Sequence, residues 1–199
     1  MPSTPTPTFS ICVYCGSRPG TDPAFAAAAT RVGRWIGEHG GQLVYGGGNN
    51  GLMGVLADAA LAAGAPVVGI IPRSMVEREW AKRDCTELHV VENMHERKSM
   101  MAERADAFLA LPGGIGTFEE FFEAWTWRQL QFHAKPVGLL DSGGYYESLV
   151  AFLRQGVAHG FMTEAMMDLL TIGSEADEVL GRLVAGIRPG AQRMDLSQI

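Results

Sequence analysis

The sequence predicts an α/β fold, a Rossmann-like, doubly wound and mostly parallel sheet flanked by helices in a single domain. Three observations carry that expectation. Short apolar runs alternate with helical patterns along nearly the whole chain, 25 glycines in 199 residues gather in clusters, and each cluster follows the carboxyl end of an apolar run. Apolar runs of this length suit strands covered on both faces, and their alternation with helices argues for a parallel sheet. Ligands of such sheets bind beyond the carboxyl ends of the strands, at the topological switch point. A chain of 199 residues can bury one sizeable core and is short for two.

Taken in order, residues 1–8 are rich in Pro and Thr and are expected to form a disordered tail. The run 10–15, Ser-Ile-Cys-Val-Tyr-Cys, predicts the first strand, and a helical pattern follows at 23–39. A second strand at 42–45 ends in Gly46-Gly47-Gly48-Asn49-Asn50, which opens a helix at 51–63. Strands at 66–70 and 88–91 precede a helix at 95–105. A strand at 107–111 runs through Pro112-Gly113-Gly114-Ile115-Gly116 into a helix at 117–130, whose apolar stripe is Phe118, Phe121, Phe122 and Trp125. A strand at 136–140, a helix at 145–159, a strand at 169–172 and a helix at 174–184 complete the alternation. The domain is expected to span 9–187, with 190–199 a second disordered tail.

Composition removes several classes of function. The net charge is −6 and no run of Lys or Arg builds a basic stripe, so a nucleic-acid polymer is not an expected partner. No apolar stretch approaches the roughly 20 residues of a membrane span, and the first residues lack the basic and apolar regions of a signal peptide. A cytoplasmic location is expected, and three cysteines, few and odd in number, fit it. Cys12 and Cys15 form a C-x-x-C, but on a strand residues three apart face opposite ways, against redox or metal use. His39, His89, His95, His133 and His159 fall in no metal-binding spacing. Neither a metal nor a cofactor is expected.

Three junctions carry candidate chemistry. Gly113, Gly114 and Gly116 remove the Cβ atoms that would keep a ligand off the backbone, so amide N–H groups and the helix dipole converge on one point. Such a point attracts phosphate. Glu120, one turn inside that helix, admits two readings: a group used on a bound substrate, or the second half of a capping box opened by Thr117. Gly46, Gly47 and Gly48 form a second cradle, which matches no Walker pattern and resembles G-x-G-x-x-G only loosely. Ser17, after the first strand, is a third candidate contact, outside any G-x-S-x-G elbow. Arg97 and Lys98 stand near the start of a helix, where cations oppose the dipole, and Arg97 suits two-pronged contact with a phosphate or carboxylate.

Together these residues resemble the LOG family of cytokinin-activating phosphoribohydrolases, often catalogued as lysine decarboxylase-like proteins. Pro112-Gly113-Gly114-x-Gly116-Thr117-x-x-Glu120 matches the family signature P-G-G-x-G-T-x-x-E in full. The likeness extends to Gly46-Gly47-Gly48 with Gly51-Leu52-Met53-Gly54, to Met94-His95-x-Arg97-Lys98, and to Trp127-x-Gln129-Leu130 with His133-x-Lys135-Pro136-Val137-Gly138. It covers residues from about 10 to about 185. The resemblance implies hydrolysis of the N-glycosidic bond of a nucleoside 5′-monophosphate, typically an N6-substituted adenosine monophosphate, to free base and ribose 5-phosphate. It implies catalysis by Arg97 and Glu120, with Arg97 holding Glu120 ionised, and a phosphate grip by Gly113, Gly114, Ile115, Gly116 and Thr117. Glu79, from an Arg78-Glu79 pair, and Lys98 are further implied substrate contacts, beside Gly46, Gly47, Gly48 and Ser17. Asn93 departs from the Asp common in the family and is expected to alter how the helix at His95 is capped.

A homodimer with its sites near the interface is implied as well, and Trp125, Trp127 and Phe132 exceed what one amphipathic helix buries on one side. Two other functions compete. Decarboxylation through pyridoxal phosphate needs a poised lysine, and Lys82, Lys98 and Lys135 occupy no persuasive setting. A non-catalytic nucleotide or cofactor carrier on the same fold is the stronger alternative, opposed by the presence of both Arg97 and Glu120.

Overall fold

The computed structural model describes residues 6–78 and 80–188. Its elements follow in the order β1 Ser10–Tyr14, α1 Pro23–Glu38, β2 Gln42–Tyr45, α2 Gly51–Ala62, β3 Val67–Pro72, α3 Arg73–Val76, β4 Glu87–Val91 and α4 Met94–Glu103. β5 Ala107–Ala110, α5 Ile115–Gln129, β6 Val137–Leu140, α6 Glu147–Ala158, α7 Glu164–Met167, β7 Leu170–Gly173 and α8 Ala176–Ala185 complete it. All seven strands form one sheet in the order β4-β3-β2-β1-β5-β6-β7, and every neighbouring pair is parallel. The chain winds outward from β1 to β4, returns to β5 on the other side of β1, and winds outward again. The switch point therefore lies between β1 and β5.

Strand side chains alternate between faces, and both faces are buried, so one strand serves two cores. Ile11, Val13 and Cys15 enter the core built with Trp35 and Ile36 of α1, Leu56 of α2 and Leu183 of α8. Cys12 and Tyr14 enter the opposite core, with Met101 of α4, Phe121 and Trp125 of α5 and Leu153 of α6. Cys12 and Cys15 thus lie on opposite sides of the sheet.

Two expectations need correction. Trp125 and Trp127 are buried inside the subunit, and Phe132 packs on the same core, so these side chains do not argue for a subunit interface. The reason is that α5 faces the sheet on one side and is overlaid by the chain around α7 on another; the Trp125 indole N–H donates to Met166 O at 3.1 Å. Of the expected tail 1–8, Thr8 is tied to the fold, its N–H and Oγ1 both donating to Gly40 O at 3.0 and 3.2 Å. Residues 1–5, and the whole of the other expected tail, lie outside the described residues.

Candidate active site

At the switch point the loops after β1 and β5 meet, the Gly16 N–H donating to Pro112 O at 3.0 Å. A cleft of about 600 Å³ opens there, lined on this side by Ser17, Gly113, Gly114, Ile115, Gly116 and Thr117, with Arg97 and Glu120 at its base. α5 begins at Ile115 with Gly114 as its N-cap, and no side chain caps it. Its first amide groups are left for a ligand, as an anion site requires. A Cβ on Gly114 or Gly116 would meet nothing within 4 Å, so both positions face open space. Gly113 serves differently: a Cβ there would lie 2.1 Å from Thr117 Oγ1, and its absence lets the threonine tuck in.

This placement overturns the capping-box reading. Thr117 sits inside the first turn of α5, three residues after the cap, and Glu120 is turned inward to the sheet. Arg97 comes from α4, whose cap is Asn93; its side chain accepts the Glu96 N–H at 2.9 Å, while Glu96 accepts from Glu92 N–H and Asn93 Nδ2 at 3.0 Å each. Asn93 therefore caps that helix competently. The Arg97 guanidinium is fixed at three points: Nε donates to Ile70 O at 3.1 Å, Nη2 to Gly46 O at 3.3 Å, and Nη1 to Glu120 Oε1 at 2.8 Å. Both partners are buried, at 8% exposure each, yet both border the cleft.

Burial raises the Glu120 carboxyl above its ordinary range, and the adjacent Arg97 charge only offsets this in part. Arg97 favours the ionised carboxylate through its charge and its hydrogen bond, as expected of it, and desolvation opposes it. A carboxylate raised in this way is a stronger base toward a bound water than an exposed one.

Not every expected contact reaches the cleft. Gly46, Gly47 and Gly48 are buried behind it. A Cβ on Gly46 would lie 1.9 Å from Arg97 Nη2, so this glycine makes room for the arginine. Gly47 O accepts the Lys82 N–H at 2.9 Å and Gly48 pairs with Ala81, which anchors the strip carrying Trp80. Lys98 is also outside the cleft, its Nζ donating to Glu119 and Glu123 at 2.5 and 2.9 Å. Lys82 is held by Asp58 and Asp84, and Lys135 donates to Ala102 O at 2.7 Å, so no lysine lines the cleft. Glu79 lies outside the described residues.

Other lining residues were not singled out by the sequence as contacts: Arg18, Met53, Met75, Trp80 and Tyr145. The Tyr145 hydroxyl donates to Gly113 O at 2.5 Å and steadies the glycine loop. Only the spatial meeting of five separate segments reveals them.

The family described as "Possible lysine decarboxylase" matches residues 53–183. A cytokinin riboside 5′-monophosphate phosphoribohydrolase of Rhodococcoides fascians is 49% identical over 81% of this chain and 81% of its own. A probable enzyme of the same name, LOG4 of Oryza sativa subsp. japonica, is 45% identical over 89% of this chain and 77% of its own. Among solved structures, the molybdenum cofactor binding protein of Rippkaea orientalis superposes with a TM-score of 0.68 at 20% identity, covering 94% of this chain and 100% of that one. That likeness shows the fold alone. Identity at this level over most of the length, with the glycine segment, Arg97 and Glu120 joined in one cleft, assigns the chain to the LOG family.

Proposed function

We propose that this protein hydrolyses the N-glycosidic bond of a nucleoside 5′-monophosphate, of the N6-substituted adenosine kind found in cytokinin ribosides, giving free base and ribose 5-phosphate. The observation that carries the reading is the buried Arg97–Glu120 pair at the base of a cleft whose rim is an uncapped, glycine-opened helix start. The names of the similar proteins support the same chemistry.

In this scheme the 5′-phosphate rests on the amides at the start of α5, and this contact, remote from the reacting carbon, fixes the ribose. Cleavage builds positive character on the ribose ring, which the Glu120 carboxylate stabilises. Glu120 takes a proton from the attacking water as its oxygen bonds to C1′; the electron pair of the broken C1′–N bond leaves with the base, which is protonated from solvent, and Glu120 releases its own proton to solvent, so that one water is consumed. Arg97 keeps the carboxylate oriented. Met53, Met75 and Trp80 offer the apolar surface that an adenine and its N6 substituent require.

We also propose a cytoplasmic homodimer. Trp80, Met94, Ile115 and Tyr145, exposed by 41, 39, 86 and 39% beside the cleft, are the apolar surface that a partner subunit would cover. Free Cys12, Cys15 and Cys85 suit a reducing compartment, and no helix among the described residues is long and apolar enough to cross a membrane. Incubation with isopentenyladenosine monophosphate and with AMP, followed by chromatography, is expected to release free base. Binding of nucleotide without release from either would instead support a carrier. A light-scattering mass of one chain would remove the dimer.

A further inference from the structure

The opposite edge of the sheet holds a second cleft, of about 690 Å³, at the amino ends of β6 and β7. We propose that it binds a small phosphorylated anion, separately from the substrate of the glycine-edge cleft. Three guanidiniums border it, from Arg128 at the end of α5, Arg182 in α8 and Arg188 beyond it, against the single carboxylate of Asp168. In a chain of net charge −6 such a concentration of one sign runs against the overall balance.

The local pairing does not account for it. Arg128 is half-buried and donates to Leu169 O at 2.6 Å, and among the described residues no carboxylate lies within ion-pair distance of Arg128 or Arg188. Arg182 meets Glu178 at 3.6 Å on an exposed face, a contact that leaves its guanidinium available. Burial, and then the nearby Arg188 charge, press the Arg128 guanidinium downward, so the two cations stand close enough to repel. Favourable placement at helix C-termini explains Arg128 and Arg182 one at a time, but not their convergence with Arg188. A phosphoryl group supplies what is missing, since its oxygens accept paired guanidinium N–H bonds.

Two neutral groups complete the wall. Gln131, at the rim, brings an amide that can donate to an oxyanion. His133 brings no charge: its Nδ1 accepts the Lys135 N–H and its Nε2 donates to Ala124 O, both at 3.1 Å, and burial pushes it down to about 4. Above that pH the three arginines, against Asp168, set the sign of the site.

Titration of the full chain with inorganic pyrophosphate, followed through backbone amide NMR shifts, tests the assignment. Shifts are expected at Gln131, Ala134, Thr171 and Gly186, and the Kd read there should rise about tenfold or more in an Arg182→Gln/Arg188→Gln variant, as loss of charge-assisted bonds predicts. Both arginines are exposed, so the variant is expected to keep the wild-type spectrum elsewhere. Shifts confined to residues 113–117, or an unchanged Kd in the variant, would overturn the proposal.

Discussion

At the scale of single residues, the pair Arg97 and Glu120 was legible from the sequence and its surroundings were not. A cation near a helix start opposes the dipole, which marks Arg97, and Glu120 is marked by the signature it completes with the glycine loop. Whether Glu120 capped the helix could not be read, because a cap at Thr117 and a site in the sheet cleft put the carboxylate on the same turn. The role of Gly46 is hidden for a related reason: nothing in a glycine's neighbours along the chain tells what its missing Cβ would have struck, here Arg97 Nη2. The two readings of Glu120 separate in Glu120→Gln. The amide oxygen can still accept from Arg97 Nη1, which lies 2.8 Å from Glu120 Oε1 in the native chain, so the guanidinium keeps its partner. We predict a kcat lower by roughly 10²–10⁴ with little change in Tm, as for loss of a proton-transferring group. A near-normal rate with a lowered Tm would return Glu120 to a structural role.

At the scale of elements, the seven strands and six long helices were legible to within about two residues, because each carries its own apolar run or stripe. α3, α7 and the 3-10 turn Ser142–Gly144 were not, since three or four residues display no period. The end of α5 shows a local rule broken. Gln131 N–H donates to Arg128 O at 3.0 Å and Phe132 N–H to Trp127 O at 2.9 Å, the paired bonds of a Schellman stop, yet the left-handed position is Gln131, with φ 64°. Glycine is the usual occupant because it avoids the Cβ strain there. Gln131→Gly is therefore expected to stabilise the fold by about 0.5–1 kcal/mol, visible as a Tm rise of about 1–4 °C. A lower Tm would show that the Gln131 side chain makes contacts worth more than the strain.

At the scale of the whole molecule, the alternation of strands and helices predicted the class, but not the order β4-β3-β2-β1-β5-β6-β7. Order is decided by which crossovers pack on which face, a competition between distant segments that no local pattern reports. That order places the loops after β1 and β5 side by side and so makes the cleft. It also turns His133, in the surface link from α5 to β6, inward against α5, at 4% exposure. The neutral ring satisfies both its neighbours, whereas a second proton would set Nδ1–H against the Lys135 N–H. Burial first, then the Lys135 charge, lower the imidazole from 6.5 to about 4. Between those values the unfolded chain binds a proton that the folded chain refuses, so the stability contributed is complete above about pH 6.5 and is lost as pH falls toward 4. The loss is on the order of 2–3 kcal/mol. Denaturant midpoints compared at pH 7 and pH 4.5 should therefore fall further in the wild type than in His133→Gln, which has no imidazole to titrate. An equal fall in both proteins would place the acid sensitivity of the fold elsewhere.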